Sequence, residues 1–192
     1  VLSLLHPSLK KDKLKGAISF YDGRFLDSRM VIALLQTAKS FSCEVKNYSE
    51  VKSFTYDGQN NVNGVIYFDK QTNTSHEVKA QAVINATGTN VDNIRLLDDK
   101  ESEDILSLSS GIHIVVPKRF LPFDEGILIP KTQDGRIIFI LPYIDKYLIG
   151  PTDNEVEYTS RPKALEKEVE YLISHVNDYF ELKINTEDVL SS

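Results

Sequence analysis

The sequence predicts an α/β chain in two parts: an α/β layer with an antiparallel insertion, then a part dominated by an antiparallel sheet. Three observations carry this expectation. Met30, Val31, Leu34, Leu35 and Ala38 recur at helical spacing. Apolar and polar residues alternate between 43 and 80, with turn residues at intervals. Four short apolar runs lie between 111 and 153, and a second helical pattern follows them.

In chain order, "GAISFYD" (16–22) reads as a strand ending at the Asp22-Gly23 turn. Asp27 can then cap a helix running to about Phe41. "CEVKNY" (43–48) and "EVKSFTY" (50–56) alternate as strands, and Asp57-Gly58-Gln59-Asn60-Asn61 is a turn. "VNGVIYFD" (62–69) and "SHEVKA" (75–80) form the rest of a meander around a turn at Asn73, and "AVINA" (82–86) reads as a short buried strand. Residues 89–110 are polar and acidic, a helix and a connection with a solvated surface. "GIHIVVP" (111–117), "GILIP" (126–130), "GRIIFILPY" (135–143) and "KYLIGPTD" (146–153) predict four antiparallel strands, with turns at Asp134-Gly135 and Ile144-Asp145. Pro162 opens a helix to about Phe180 with Leu165, Val169, Leu172, Ile173 and Val176 on one face.

Bulk properties narrow the function. The 192 residues, 41% apolar and 26% charged, suit a globular chain with a real core. A net charge of −6 argues against nucleic acid as a partner, though a few local cations suffice for one small anion. The single cysteine, Cys43, excludes an intrachain disulfide and a multi-cysteine zinc site, and its place in an alternating stretch predicts a buried structural thiol. No run approaches the ~20 apolar residues of a membrane-spanning helix. The start lacks both a methionine and the shape of a signal peptide, so the chain reads as a piece of a longer one.

Few residues invite chemistry. His113 alternates onto the strand face of Gly111 and Val115, where its imidazole could accept a proton or hold a hydroxyl, or simply be a half-exposed strand residue. His6, His76 and His175 read as surface or helix-face residues, with no spacing that makes a metal site. Thr152 and Asp153 follow a strand and Gly150-Pro151, as either site residues at a rigid strand end or an Asx-type turn. Ala86-Thr87-Gly88 could let backbone N–H groups approach a phosphate or cofactor chain, or could be only a tight turn. Asp27 and Arg29 lie two apart, so they do not face one another on a helix. The nine glycines are never two apart, which excludes a G-x-G dinucleotide fingerprint, a P-loop and a G-x-S-x-G elbow.

Taken in order, "KDKLKGAISFYDGRFLDSRM" (11–30), "VKAQAVINATGTNVDNI" (78–94), "LDDK" (97–100), "SSGIHIVVP" (109–117), "DGRIIFILPY" (134–143), "IGPTD" (149–153) and "DVLSS" (188–192) resemble the FAD-dependent glycerol-3-phosphate dehydrogenases, especially the mitochondrial type. The chain departs from that pattern at Thr89, where the family has proline after ATG, and at Pro151, where it has a threonine. It departs again at Leu26 and Ser28 within the family's D-D-A-R motif.

The resemblance implies an amine-oxidase-like FAD fold. In it, 1–20 gives a strand to the substrate lobe, 21–95 belongs to the FAD lobe, 105–182 forms the substrate lobe and 183–192 begins the return. It implies FAD as cofactor in the full-length enzyme, met by Ala86, Thr87 and Gly88 at the flavin phosphate and ribityl region and by the strand around Val51 near the adenine. It implies His113 as the active-site histidine, and Thr152 and Asp153 as residues lining or supporting the substrate site, with Asp27 and Arg29 left structural. The implied substrate is glycerol 3-phosphate and the implied electron acceptor a membrane quinone. The implied location is the mitochondrial inner membrane or, alternatively, a bacterial cytoplasmic membrane, and a homo-oligomer is possible. Two segments are expected outside the chain: an ADP-gripping βαβ unit before Val1 and a phosphate-binding arginine segment after Ser192. Two alternatives remain, another amine-oxidase-like flavoprotein and a non-catalytic partner-binding module.

The isolated 192-residue chain is accordingly expected to be inactive and not to retain FAD, because it lacks the glycine-rich turn that supplies most dinucleotide affinity. Loss of the yellow absorbance on desalting is the expected result; a chain that stays yellow contradicts it.

Overall fold

The computed structural model describes residues 8–12, 14–121, 123–132, 134–181 and 183–192. His6 and the first seven residues of the strand expected over 1–20 lie outside the described residues. Two compact units are present. One combines the described residues up to Ser19 with Ser107–Ser192, and the other is Phe20–Leu106.

The continuous unit begins with helix α1 (Asp27–Ser40). Its N-cap position is Leu26, which makes no side-chain cap, so Asp27 is not the expected cap. Asp27 lies instead in the first turn, where its charge opposes the helix dipole, as Lys39 does in the last turn. The helical spacing is realised, yet no residue of α1 is buried. Periodicity fixes the helix but not what covers it.

A meander follows: β1 (Ser49–Tyr56), β2 (Val62–Asp69) and β3 (Thr74–Lys79), paired antiparallel in that order. Asp57 closes the first turn by accepting the Gln59 and Asn61 N–H groups at 2.8 and 2.9 Å. Asp69 does the same for Gln71 and Thr72, with Asn73 left-handed at φ 55°. A 3₁₀ turn (Gly88–Asn90) then leads into helix α2 (Val91–Asp98), whose Asp92 carboxylate accepts the Ile105 and Leu106 N–H groups and tethers the acidic connection.

Three expected strands are absent: 16–22, 43–48 (its two end residues form only a bend) and 82–86. A strand needs a hydrogen-bonded ladder, and none of these segments has one among the described residues; 43–48 makes a single cross-strand bond at its end, where the Tyr48 carbonyl accepts the Lys70 N–H at 2.9 Å. The 82–86 segment is not buried either, with Ile84 87% exposed. Cys43 is exposed, contrary to the buried thiol expected, because the strand that would have turned it inward is not formed.

The second unit holds the core. Strands β5 (Ile114–Pro117), β6 (Ile127–Ile129), β7 (Ile138–Tyr143) and β8 (Lys146–Gly150) form an antiparallel sheet in the order β5-β8-β7-β6. A short ribbon pairs β4 (Ser109–Ser110) with β9 (Asn154–Glu155). Helix α3 (Glu166–Tyr179) contributes Val169, Leu172, Ile173 and Val176 to a core shared with Ile114, Val116, Ile138, Ile140 and Ile149. Burying each such side chain contributes about 1.5–3 kcal/mol. The helix starts four residues after Pro162, because Leu165 is extended at ψ 146° and its N–H is taken by the Glu168 side chain at 3.0 Å. Leu165 thereby leaves the apolar face it was expected to join.

Both chain ends of the description attach here. Leu9 bridges Phe180, and Val115 exchanges backbone hydrogen bonds with Leu190 and Ser191. The β6–β7 connection is tied to α3 through Asp134, whose carboxyl is held down to about 2 by the Thr132 hydroxyl, with further help from the Tyr171 hydroxyl and Arg136. No helix among the described residues is long and apolar enough to cross a membrane.

The β7–β8 turn carries a strained residue. Ile144 is 85% exposed and left-handed at φ 58°, where a β-branched side chain is disfavoured. Replacing it with glycine or asparagine is expected to raise stability by roughly 1 kcal/mol, read as a higher urea midpoint at unchanged m-value.

Candidate active site

The site is built where the segment entering β5 lies against the segment leaving β8. Alternation buries Ile112 and Ile114 and turns His113 and Val115 to the other face, half-buried, as the sequence indicates. His113 itself lies just before the paired part of β5 rather than within it.

Glycine is required on both sides of this approach. A Cβ on Gly150 would stand 2.6 Å from the Ile112 carbonyl oxygen and 2.8 Å from His113 Cδ2, so the imidazole rests on the bare Gly150 backbone. A Cβ on Gly111 would stand 2.3 Å from the Thr152 carbonyl oxygen. Between them, the Gly150-Pro151 peptide is cis.

Thr152 fastens the two segments. Its N–H donates to the Ile112 carbonyl at 3.1 Å, and its Oγ1 accepts the Ile112 N–H at 2.9 Å. The same hydroxyl donates to Glu168 Oε1 at 3.0 Å, and Asn154 Nδ2 donates to that oxygen at 2.7 Å. Glu168 Oε2 accepts the Leu165 N–H, so the carboxylate is 6% exposed yet bonded to three donors.

Thr152, 2% exposed, is thus occupied with holding backbone, whereas Asp153 is exposed and outside this network. Burial holds the His113 imidazole below its usual value of 6.5, favouring the neutral ring at pH 7. Among the described residues no side chain hydrogen-bonds that ring, which leaves its nitrogens open to a ligand.

The other candidates lie in the continuous unit. Val51 sits in β1 opposite Tyr67. Ala86 and Thr87 are exposed, and Thr87 Oγ1 donates to Asn85 Oδ1 at 2.8 Å. Asn85 Nδ2 in turn donates to the Val91 carbonyl at 2.9 Å, clamping the turn to the start of α2. Gly88 is left-handed at φ 59°, with open space where a Cβ would stand. Asp27 and Arg29 are exposed on α1, and Arg29 joins no ion pair among the described residues. His76 stacks on Tyr67 at 5.3 Å, and His175 Nδ1 donates to the Tyr171 carbonyl at 2.8 Å. No three His, Cys, Asp or Glu side chains gather as a metal site among the described residues.

Glu168 was missed at the sequence level. Its signal was present: it stands four and eight positions before Leu172 and Val176, a carboxylate on an apolar helix face.

A family model described as FAD dependent oxidoreductase (DAO) matches residues 2–192. The chain is 39% identical over 176 residues to the probable mitochondrial glycerol-3-phosphate dehydrogenase of Dictyostelium discoideum, covering 88% of this chain and 28% of that protein. It is 37% identical over 193 residues to the mitochondrial glycerol-3-phosphate dehydrogenase of Homo sapiens, covering 97% of this chain and 26% of that one. It therefore spans a little over a quarter of the length of these relatives. The crystal structure of the glycerol-3-phosphate dehydrogenase from Bacillus halodurans complexed with FAD superposes with a TM-score of 0.91 at 31% identity, over 97% of this chain and 38% of that chain.

The glycine contacts are directly testable. Gly150→Ala is expected to destabilise by about 1–3 kcal/mol, because backbone as well as the imidazole must move. Gly58→Ala, with nothing within 4 Å of its Cβ, is expected to stay within about 0.5 kcal/mol in the same urea titration.

Proposed function

The chain belongs to the FAD-dependent oxidoreductase family, and from that membership we propose that it serves in a glycerol-3-phosphate dehydrogenase that oxidises sn-glycerol 3-phosphate to dihydroxyacetone phosphate. The observation that carries this reading is the agreement of the chain, over nearly its whole length, with dehydrogenases of that name in sequence and in backbone. The acceptor in this reading is a membrane quinone. The mitochondrial names of the curated relatives favour the mitochondrial inner membrane as its place, and the bacterial neighbour makes a bacterial cytoplasmic membrane the alternative.

The residues present fit a bound FAD at one contact. The exposed Ala86-Thr87-Gly88 turn has a left-handed glycine with open space beside it, so a phosphate-bearing chain can approach the backbone there without meeting a side chain. In this reading those three residues touch the cofactor and Val51 lies along its adenine end. FAD, when bound, supplies a two-electron acceptor for the hydride leaving C2 of the substrate.

The chain's own contribution to the chemistry is proton management. His113, neutral at pH 7 because burial disfavours its charged form, can take the C2 hydroxyl proton on a ring nitrogen as the C2–H bond breaks. Its ring is set against Gly150, which limits where that nitrogen can stand. Asp153, exposed beside the buried Thr152, lines the open side of the site in this reading.

His113→Ala in the FAD-loaded enzyme is expected to lower kcat at least ~100-fold. In the wild type, kcat/KM should fall as pH drops through a value below 6.5, where His113 becomes protonated. Stability should fall over the same interval, since the unfolded chain binds the proton at higher pH than the folded one. Unchanged turnover in the alanine variant, measured with glycerol 3-phosphate, would remove His113 from the chemistry.

A further inference from the structure

The Glu168 carboxylate has no place in the chemistry proposed so far, yet it is the most deeply buried charged side chain among the described residues. Its three donors come from three different places: the Thr152 hydroxyl after β8, the Asn154 amide in β9, and the Leu165 N–H ahead of α3. A threonine hydroxyl has one proton and can also accept. By taking that proton, Glu168 turns the oxygen's lone pairs toward the Ile112 N–H, which Thr152 Oγ1 accepts at 2.9 Å. Ile112 is the residue before His113, and its carbonyl is held by the Thr152 N–H. One carboxylate on the helix therefore fixes the backbone amide pair from which the imidazole projects.

We propose that Glu168 is a positioning residue for His113, acting through the Thr152 hydroxyl to hold residues 111–113 against Gly150. The inference rests on the reading of His113 as the proton acceptor. It adds a residue that touches neither substrate nor cofactor but sets where the acceptor nitrogen stands. Helix capping alone explains only the Leu165 contact, which uses Oε2. The Oε1 contacts to Thr152 and Asn154 face the strand ends instead.

The test uses the full-length FAD-loaded protein and two readouts: kcat and KM per bound flavin, and the rate at which diethyl pyrocarbonate labels His113 relative to exposed His76, followed by mass spectrometry. Glu168→Ala and the near-isosteric Thr152→Val are each expected to lower kcat on the order of tenfold, with KM for glycerol 3-phosphate within about threefold, since a displaced acceptor costs the chemical step more than binding. Both should label His113 severalfold faster while leaving His76 unchanged. Thr152→Ser, which keeps the hydroxyl, should restore both readouts, and the Glu168→Ala/Thr152→Val double variant should be no worse than either single one. A lowered melting temperature with kcat and His113 labelling as in wild type would overturn the proposal and leave Glu168 a structural cap. Should Glu168→Ala fail to fold, the Thr152→Val and Thr152→Ser pair decides by the same criteria. Full turnover in His113→Ala is a separate failure, which overturns the reading of His113 and this inference with it.

Discussion

The approach of two backbone segments, 111–113 and 150–152, is the constraint on which the sheet unit depends. Backbones come this close only where side chains are missing, and Gly111 and Gly150 supply the missing atoms on opposite sides. Once there, the segments are held by an exchange of hydrogen bonds that continues the β5–β8 ladder beyond its last regular pair, Ile114 with Ile149. Thr152 substitutes its hydroxyl for a carbonyl at the point where the ladder would otherwise end. The half-buried imidazole is a product of that geometry: its neighbours in sequence go to the core, and its ring settles on glycine.

Burying a carboxylate without a cation is costly unless its oxygens are fully hydrogen-bonded. At Glu168 the compensation comes from neutral donors and from the N-terminal end of α3, whose first-turn N–H groups favour negative charge. Neutral donors on rigid backbone also define direction more sharply than a long flexible lysine could. Asp134 makes a second polar link to α3 through the Tyr171 hydroxyl, but there the carboxylate is partly exposed and also paired with Arg136. The helix is thus registered to the sheet by polar contacts as well as by its apolar stripe.

Much of this was legible in the sequence where a local rule and the final environment agree. The meander's strands and turns were legible because Asp57, Asp69 and Asn73 close turns by chemistry that needs no distant partner. The alternation around His113 and the apolar face of α3 were legible because both are buried by elements within the chain. The segments 16–22, 43–48 and 82–86 have strand-like composition but no partner strand, and composition cannot supply one. Asp27 was misplaced by one position for a related reason, since an acidic first turn and an acidic cap look alike in sequence. Glu168 went unremarked because its partners lie 14 and 16 residues away and become neighbours only when β8 and α3 meet.

The sheet unit is discontinuous in the chain, and this bears on the order in which it is made. Lys10 donates to the Asn177 carbonyl across 167 positions, and Leu9 bridges Phe180, so the earliest described contacts of the unit await nearly its last residues. The meander, by contrast, is complete once Lys79 has emerged during synthesis. A ribosome-bound chain therefore carries finished local hairpins while the segment around Leu9 waits, unpaired, for α3. Closing this unit therefore means joining two stretches of chain made 167 positions apart, with the whole of the other unit synthesised between them.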